Sequence, residues 1–358
     1  MDRPQPRPVI GALPAYVPGA RGSADRLPPV KLSSNETPFV PLPRVAQAVA
    51  GAGEMAHRYP DMFAVELHER IGDFLGLSPE SVAVGGGSVA ALLHTLQAYT
   101  SPGDEVVFAW RSFEAYPILT QVAGATPVPV PLAAGGRHDL DAMAAALTDR
   151  TRVVLLCSPN NPTGPALRAA EVETFMAQVP PHVLVVLDEA YVEFVRDPDA
   201  VAGLAFLSRY PNALIARTFS KAYGLAGLRV GFVAGDRELI APVRACVTPF
   251  SVSAPAQAAA IVSLSAQDEL AERVDAVVAE RGRVADALAG LGWNVPDAQG
   301  NFVWLAAGER TADIAAALAA REPAVLVRPF AGEGIRVTIG SPEENDALLE
   351  GLRSIGLR

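Results

Sequence analysis

Residues 218–231 read TFSKAYGLAGLRVG, and the rest of the chain is interpreted around them. The aliphatic run 213–216 in front is strand-like, so Lys221 falls in a glycine-containing loop at the mouth of a buried strand. Burial disfavours a charged amine, and a neutral lysine can attack a carbonyl to form a Schiff base. Ser220 and Arg229 add a hydroxyl and a fixed positive fork, which together suit a phosphate. The alternative is a surface lysine beside a core strand.

A second candidate anion site is the glycine loop in residues 82–88, VAVGGGS, which leads into the helical run 89–96. We interpret it as a short strand, a turn and a helix that Ser88 could cap. Bare amides at a helix N-terminus, made approachable by glycine, bind anions. Glycine-containing turns that lead into capped helices are common, so this motif indicates an anion site only together with other motifs.

Two further motifs follow apolar runs that are typical of strands covered on both faces. Run 153–157 ends in residues 158–164, SPNNPTG, and run 183–187 ends at Asp188, three residues before Tyr191. Ligands of open α/β sheets bind outside the carboxyl ends of the strands. The alternatives are a plain β-turn for SPNNPTG, a helix N-cap for Asp188 and a core aromatic for Tyr191.

Aliphatic strands alternate with helices along the chain, which predicts an α/β fold with a mostly parallel sheet. An early helix is expected to bury Phe63, Leu67, Ile71, Phe74 and Leu75 on one face. Further helices are predicted at 139–147 and 171–178, a long helical stretch at about 256–291, and late strands at 301–305 and 324–328.

Bulk composition excludes several classes of function. The 358 residues carry a net charge of −10 and no basic stripe, which argues against nucleic acid as a partner. No apolar stretch reaches about 18 residues and the N-terminus has no apolar signal core, so we expect no membrane span and a cytoplasmic location. Two cysteines and five histidines lack ligand spacing, so no metal is expected.

Taken together and in this order, the motifs between Asn35 and Gly340 resemble the fold type I pyridoxal-phosphate aminotransferases. The chain is most similar to the histidinol-phosphate aminotransferase family, and within it to the branch described as aromatic or phenylalanine aminotransferases. The resemblance implies a homodimer with shared active sites. It also implies a proline-rich arm (1–34), a large cofactor domain with a mostly parallel seven-stranded sheet (35–252) and a smaller α+β domain (253–358).

The resemblance implies a role for each motif around pyridoxal 5'-phosphate. Lys221 would bind the cofactor and move a proton as general base and acid, as part of a catalytic set with Asp188 and Tyr191. Asp188 would pair with the protonated ring nitrogen, and Asn161 and Tyr191 would hydrogen-bond the ring 3'-oxygen. The other implied contacts are ring stacking by Phe113 and phosphate binding by Gly87, Ser88, Val89, Ser220, Arg229 and, from the partner subunit, Tyr59.

The resemblance also implies how the substrate is held. Arg336 would grip the substrate carboxylate, because a planar guanidinium matches a carboxylate bidentately; the alternative is a salt-bridged strand arginine. Asn161 would face the substrate as well, and Arg328 and Asn301 are weaker candidates. Tyr16 is either an aromatic wall of the pocket or a surface tyrosine of the arm.

The segment 110–116, WRSFEAY, is more similar to the aromatic branch than to the histidine-pathway branch. We therefore expect transamination of an aromatic amino acid, phenylalanine favoured, with 2-oxoglutarate, giving an aryl keto acid and glutamate. The first alternative is histidinol-phosphate transamination. Two others remain open, namely a decarboxylase of the phosphothreonine type and a non-catalytic binding protein.

Overall fold

The structure is a computed structural model that describes residues 3–11, 13 and 27–356. In chain order its strands are β1 Val30–Lys31, β2 Val82–Gly85, β3 Glu105–Trp110, β4 Thr126–Pro131, β5 Thr151–Cys157, β6 Leu184–Asp188, β7 Ala213–Thr218, β8 Gly231–Gly235, β9 Phe302–Leu305, β10 Val325–Leu326, β11 Arg328–Phe330 and β12 Gly334–Thr338. Its helices are α1 Pro8–Gly11, α2 Pro43–Glu54, α3 Val65–Leu75, α4 Ser88–Tyr99, α5 Ala115–Ala123, α6 Leu140–Ala145, α7 Ala169–Met176, α8 Gly203–Arg209, α9 Arg237–Cys246, α10 Ala254–Leu264, α11 Gln267–Gly290, α12 Thr311–Ala319 and α13 Pro342–Ile355.

The large sheet has seven strands in the order β2-β8-β7-β6-β5-β3-β4. Strand β8 runs antiparallel to β2 and β7, and the remaining neighbours pair in parallel. The central strands are runs of valine, leucine and isoleucine that are buried on both faces, as parallel strands between helical layers must be. The predicted α/β fold with a mostly parallel seven-stranded sheet is confirmed.

A second group of strands and helices packs around a separate hydrophobic core. Strands β11, β12 and β9 form an antiparallel sheet, and β1 pairs in parallel with β10. Helices α11, α12 and α13 bury their apolar faces against these strands. The segment that contains Leu32 therefore belongs to this second core although it lies near the start of the chain.

Two expectations about helices were wrong. Helix α3 begins at Val65, so Phe63 lies outside it and is exposed, and Phe74 also points partly to solvent. The helical stretch expected at 256–291 is confirmed and consists of two helices: α10 packs against the core of the large sheet, and α11 packs in the second core. Ser88 is the first residue of α4 and not its cap; the cap position belongs to Gly87.

The late strand expected at 324–328 was also wrong as a single element. It is divided at Val327 into β10, which pairs with β1, and β11, which pairs with β12. Helices α6 and α7 lie at the expected positions, although their ends are shifted. Asp139 caps α6. The division into domains at residues 34 and 252 stays a prediction, although α10 packs with the large sheet. Within the described ranges, no helix is long and apolar enough to cross a membrane.

Candidate active site

A cavity of about 270 Å³ opens at the carboxyl ends of the central strands. The parallel strands β5, β6 and β7 all end at this edge of the sheet, so the polar residues that follow each strand converge there. We call the side formed by Asp188, Lys221 and the start of α4 the sheet wall. A second group of lining residues, Ser33, Arg328 and Arg336, we call the arginine wall.

Asp188 is the last residue of β6 and is almost fully buried on the sheet wall. The hydroxyl of Tyr116 donates to its Oδ2 at 2.7 Å, and the amide of Ala190 donates to Oδ1 at 3.2 Å. Burial raises the pKa of Asp188 to about 6, although both hydrogen bonds favour the charged form. Sequence reasoning missed this role of Tyr116, whose position near the end of the segment 110–116 was the available signal.

Lys221 lies in the loop after β7, and its side chain is enclosed by protein with one part facing the cavity. Its Nζ donates to the carbonyl of Ser34 at 3.2 Å. Burial, together with the positive charges of Arg336 and Arg229, lowers the pKa of Lys221 to about 7, and the negative charge of Glu36 opposes them. Near neutral pH a large fraction of this amine is therefore uncharged, as a nucleophile or a general base requires.

The candidate anion site at one end of the sheet wall is built from three elements. Arg229 Nη1 donates to Ser220 Oγ at 3.3 Å, and Thr218 Oγ1 donates to the same oxygen at 3.0 Å. Gly87, with a φ of +87°, has no room for a side chain, because a Cβ there would overlap the Arg229 guanidinium. The glycine therefore lets the positive fork reach the N-terminus of α4, where backbone amides bind anions.

Arg336 is held on the arginine wall by two hydrogen bonds. Its Nη1 donates to Asn161 Oδ1 at 2.6 Å, and its Nη2 donates to the carbonyl of Ser33 at 2.8 Å. Its cross-strand partner in the antiparallel pair β11–β12 is Arg328, whose Nη2 donates to Glu114 Oε2 at 2.6 Å. Glu114 was not predicted from the sequence, and it lines the cavity beside Phe113.

Tyr191 faces the cavity from the turn after β6 and is fixed by Asn35. The Asn35 side-chain amide donates to the Tyr191 hydroxyl at 3.0 Å, and burial raises the pKa of that hydroxyl. Asn301 donates to the Asn35 carbonyl at 3.1 Å, and Thr338 Oγ1 donates to Asn35 Oδ1 at 3.1 Å. Asn301 therefore supports Asn35 and is not among the residues that line the cavity.

Most of the predicted site residues come together in this one cavity. Those that line it are Ser88, Val89, Phe113, Asn161, Asp188, Tyr191, Ser220, Lys221, Arg229, Arg328 and Arg336. Gly87 precedes the α4 amides. Tyr59 lies apart from the cavity: it is 84% exposed, and its ring packs on Phe250 at a centroid distance of 4.8 Å. Tyr16 lies outside the described residues.

The residues present fit pyridoxal phosphate. The glycine cradle, the hydroxyls of Thr218 and Ser220 and the fork of Arg229 match a phosphate, and Lys221 matches an aldehyde. Asp188 is a buried acid suited to a ring nitrogen, and Phe113 offers a flat apolar surface. Of the residues that the structure describes, no three His, Cys, Asp or Glu side chains are grouped to hold a metal ion.

Comparisons with known proteins indicate one family. Residues 28–352 match the family described as aminotransferase class I and II. A protein of Streptomyces coelicolor named aromatic amino acid aminotransferase is 52% identical over 347 residues, 97% of this chain and 96% of that protein. One of the same name from Thermobifida fusca is 52% identical over 97% of this chain and 96% of its own length. The structure of histidinol-phosphate aminotransferase from Sinorhizobium meliloti, in complex with pyridoxal-5'-phosphate, superposes with a TM-score of 0.85 at 28% identity, covering 98% of each chain.

Proposed function

The chain belongs to the aminotransferase class I and II family, and we propose that its amino donor is an aromatic amino acid, with phenylalanine preferred, and its acceptor 2-oxoglutarate. It is thus a fold type I aminotransferase that moves amino groups between amino acids and keto acids, and membership of the family implies pyridoxal phosphate as cofactor. The aromatic preference is supported by the names of the relatives that are about half identical to it.

One observation supports the proposed catalytic set more than any other. The amine of Lys221, whose pKa is lowered to about 7, and the buried carboxyl of Asp188 line the same cavity as the carboxylate-matching fork of Arg336. A nucleophilic amine, a buried acid and a carboxylate anchor are the groups that amino transfer requires.

When bound, pyridoxal phosphate supplies an electron sink for the charge that develops on the substrate α-carbon. Asp188 would hold a proton on the ring nitrogen through its buried carboxylate, which Tyr116 and the Ala190 amide keep oriented. Lys221 Nζ would remove the proton from the substrate α-carbon and donate it to the cofactor carbon. Its lowered pKa allows it to act both as a base and as an acid near neutral pH.

Binding of the substrate is assigned to the arginine wall. Arg336 would grip the α-carboxylate, and its bonds to Asn161 and Ser33 fix the plane of the guanidinium before the substrate arrives. Phe113 would cover one face of the cofactor ring, supported by an edge-to-face contact with Tyr116 at a centroid distance of 5.6 Å. Gly87, Ser88, Val89, Ser220 and Arg229 would bind the phosphate.

The second candidate is histidinol-phosphate transamination, favoured by the likeness to the Sinorhizobium meliloti structure and by the pair of arginines on one wall. Steady-state kinetics with phenylalanine, tyrosine, tryptophan and histidinol phosphate as amino donors, each with 2-oxoglutarate, decides between the two. We expect the largest kcat/KM for phenylalanine. A larger kcat/KM for histidinol phosphate would overturn the aromatic proposal and leave the family assignment intact.

We also propose a cytoplasmic homodimer in which Tyr59 reaches the partner's cofactor phosphate. The exposure of Tyr59 and of its apolar neighbours Met62, Phe63, Val65 and Phe250 supports a surface that a second copy covers. Sedimentation equilibrium of the holoenzyme is expected to give twice the chain mass. A monomer with full activity would contradict a shared site.

A further inference from the structure

A chain of hydrogen bonds runs from the second core to the hydroxyl of Tyr191. Its central member is Asn35, which follows β1 and is completely buried. The Asn35 backbone has a φ of +52°, a left-handed conformation that asparagine adopts more readily than most residues. The side-chain amide of Asn301 donates to the Asn35 carbonyl at 3.1 Å. The backbone from which the Asn35 side chain projects is therefore fixed.

Thr338, the last residue of β12, sets which end of the Asn35 side chain faces Tyr191. The backbone N–H of Asn35 can only donate, and it donates to Thr338 Oγ1 at 2.8 Å. The Thr338 hydroxyl in turn donates its own hydrogen to Asn35 Oδ1 at 3.1 Å. Because the amide oxygen is held at Thr338, the NH2 group faces the Tyr191 hydroxyl, to which it donates at 3.0 Å.

The direction of these bonds determines what the Tyr191 hydroxyl can do. A phenol has one hydrogen to donate, and an amide NH2 group cannot accept it. In the part of the chain that the structure describes, Asn35 is the one side chain bonded to this hydroxyl. Since Tyr191 also lines the cavity, its hydroxyl hydrogen is available to an acceptor bound there.

We propose that Asn35 is a positioning residue, which reserves the hydroxyl hydrogen of Tyr191 for the ring 3'-oxygen of the cofactor. Asn35 is not among the residues that line the cavity, so it acts through Tyr191. This inference rests on the proposed function, because it needs a bound pyridoxal phosphate. A donated hydrogen bond stabilises negative charge on the 3'-oxygen. Without that bond the oxygen holds the nearby proton of the lysine–cofactor linkage more strongly, so the pKa of the bound cofactor rises.

Two substitutions that tolerate the positive φ test the proposal, namely Asn35→Asp and Asn35→Gly. An ionised aspartate keeps the shape of asparagine but can only accept, so it would take the Tyr191 hydrogen for itself. Glycine removes the side chain. Spectrophotometric titration of the holoenzyme measures the pKa of the bound cofactor without any turnover. We expect Asn35→Asp to raise this pKa by about one unit, a tenfold change in proton affinity, and Asn35→Gly to raise it by less.

The Tyr191→Phe background separates positioning from a merely structural role. Without the hydroxyl, Asn35→Gly should leave the cofactor pKa unchanged, and Asn35→Asp should shift it by less than about half as much as in the wild type, through its charge alone. Asn345→Asp is the matched control. Asn345 is also completely buried in the second core, but its amide donates to Glu280 and to the carbonyl of Gly340. This variant should lower thermal stability and leave the cofactor pKa unchanged.

If Asn35→Asp does not fold, Asn35→Gly decides by the same comparison. A cofactor pKa that is unchanged in both variants at position 35 would overturn the proposal. So would equal shifts with and without the Tyr191 hydroxyl, because Asn35 would then act by another route. A wild-type protein that shows no absorbance band of bound cofactor after incubation with pyridoxal phosphate would instead refute the proposed function.

Discussion

The sheet wall and the arginine wall meet in one cavity but are built in different ways. Each residue of the sheet wall follows the end of a strand in the same parallel sheet, so its position is set by short-range connections. The arginine wall is assembled from the segment after β1 and from the neighbouring strands β11 and β12. The first segment is far from the two strands in sequence, as the bond between Arg336 and Ser33 at a separation of 303 shows. The residues of the sheet wall can therefore carry the chemistry that is common to a family. Those of the arginine wall can change to select another substrate without disturbing the sheet.

The comparison predicts that changes on the sheet wall lower kcat and that changes on the arginine wall raise KM. The variants below are ordered by the size of their expected effect. A variant that shifts mainly the other parameter would contradict this difference between the two walls.

Lys221→Ala should have the largest effect. It removes the amine that we assign as nucleophile and proton carrier, so kcat should fall by about 10³-fold or more, while the phosphate contacts still retain the cofactor. The measurement is steady-state turnover together with cofactor content after dialysis. Lys31→Ala is the matched control, because Lys31 is the second of the two lysines in the chain and pairs with Glu36 at the surface. Near-normal turnover of Lys221→Ala would exclude the lysine from the reaction.

Arg336→Lys should mainly raise KM. Lysine keeps the charge but cannot match a carboxylate with two parallel hydrogen bonds, and it cannot bond to both Asn161 and Ser33 in the same plane. We expect KM for the amino donor to rise roughly tenfold to a hundredfold with a smaller change in kcat. Arg137→Lys, at a surface pair with Glu171, is the control. If Arg336→Lys lowers kcat without raising KM, Arg336 acts on the reacting atoms and is not the carboxylate anchor.

The lowered pKa of Lys221 should appear as a pH dependence of cofactor uptake. The folded protein lowers this pKa from about 10.5 to about 7, so the reactive neutral amine is fully present above about pH 7 and is lost as the pH falls below it. The rate at which the apoprotein takes up pyridoxal phosphate, followed by absorbance, should fall about tenfold per pH unit below that value and level off above it. If the rate still rises steeply beyond pH 9, the pKa of Lys221 is close to that of an ordinary lysine.

Tyr116→Phe should have the smallest effect and should act through Asp188. Removing the hydroxyl deletes a 2.7 Å hydrogen bond that favours the charged carboxylate, so the pKa of Asp188 should rise by about one unit. Carbon-13 NMR of the aspartate carboxyls in the apoprotein measures this shift, and kcat should fall only several-fold. Tyr99→Phe removes a comparable hydroxyl, bonded to the carbonyl of Leu239, and should leave the Asp188 titration unchanged. If the pKa of Asp188 is unchanged in Tyr116→Phe, the Tyr116 hydroxyl does not influence the ionisation of Asp188.

The sequence predicted the main residues of the sheet wall, since Asp188 ends an aliphatic run, Lys221 follows another one closely, and strand ends of a parallel sheet lie together. It did not predict what those residues bond to. The side-chain donor to Asp188 is 72 residues away in sequence, the partner of Arg328 is 214 residues away, and no local pattern encodes such pairs.

The same limit applies to the details of the fold. The division of 256–291 into α10 and α11 depends on which of two cores each half packs against, and periodicity along the chain cannot distinguish the two. The exposed faces of Phe63 and Phe74 likewise depend on what covers α3 and not on the spacing of apolar residues.

Covalent attachment of the cofactor at position 221 can be tested directly, because the chain contains only two lysines. The protein is loaded with pyridoxal phosphate, reduced with borohydride and digested, and the modified peptide is located by mass spectrometry. We predict one pyridoxyl group on Lys221 and none on Lys31. Modification at Lys31, at the N-terminus or at no residue would contradict the assignment of the site.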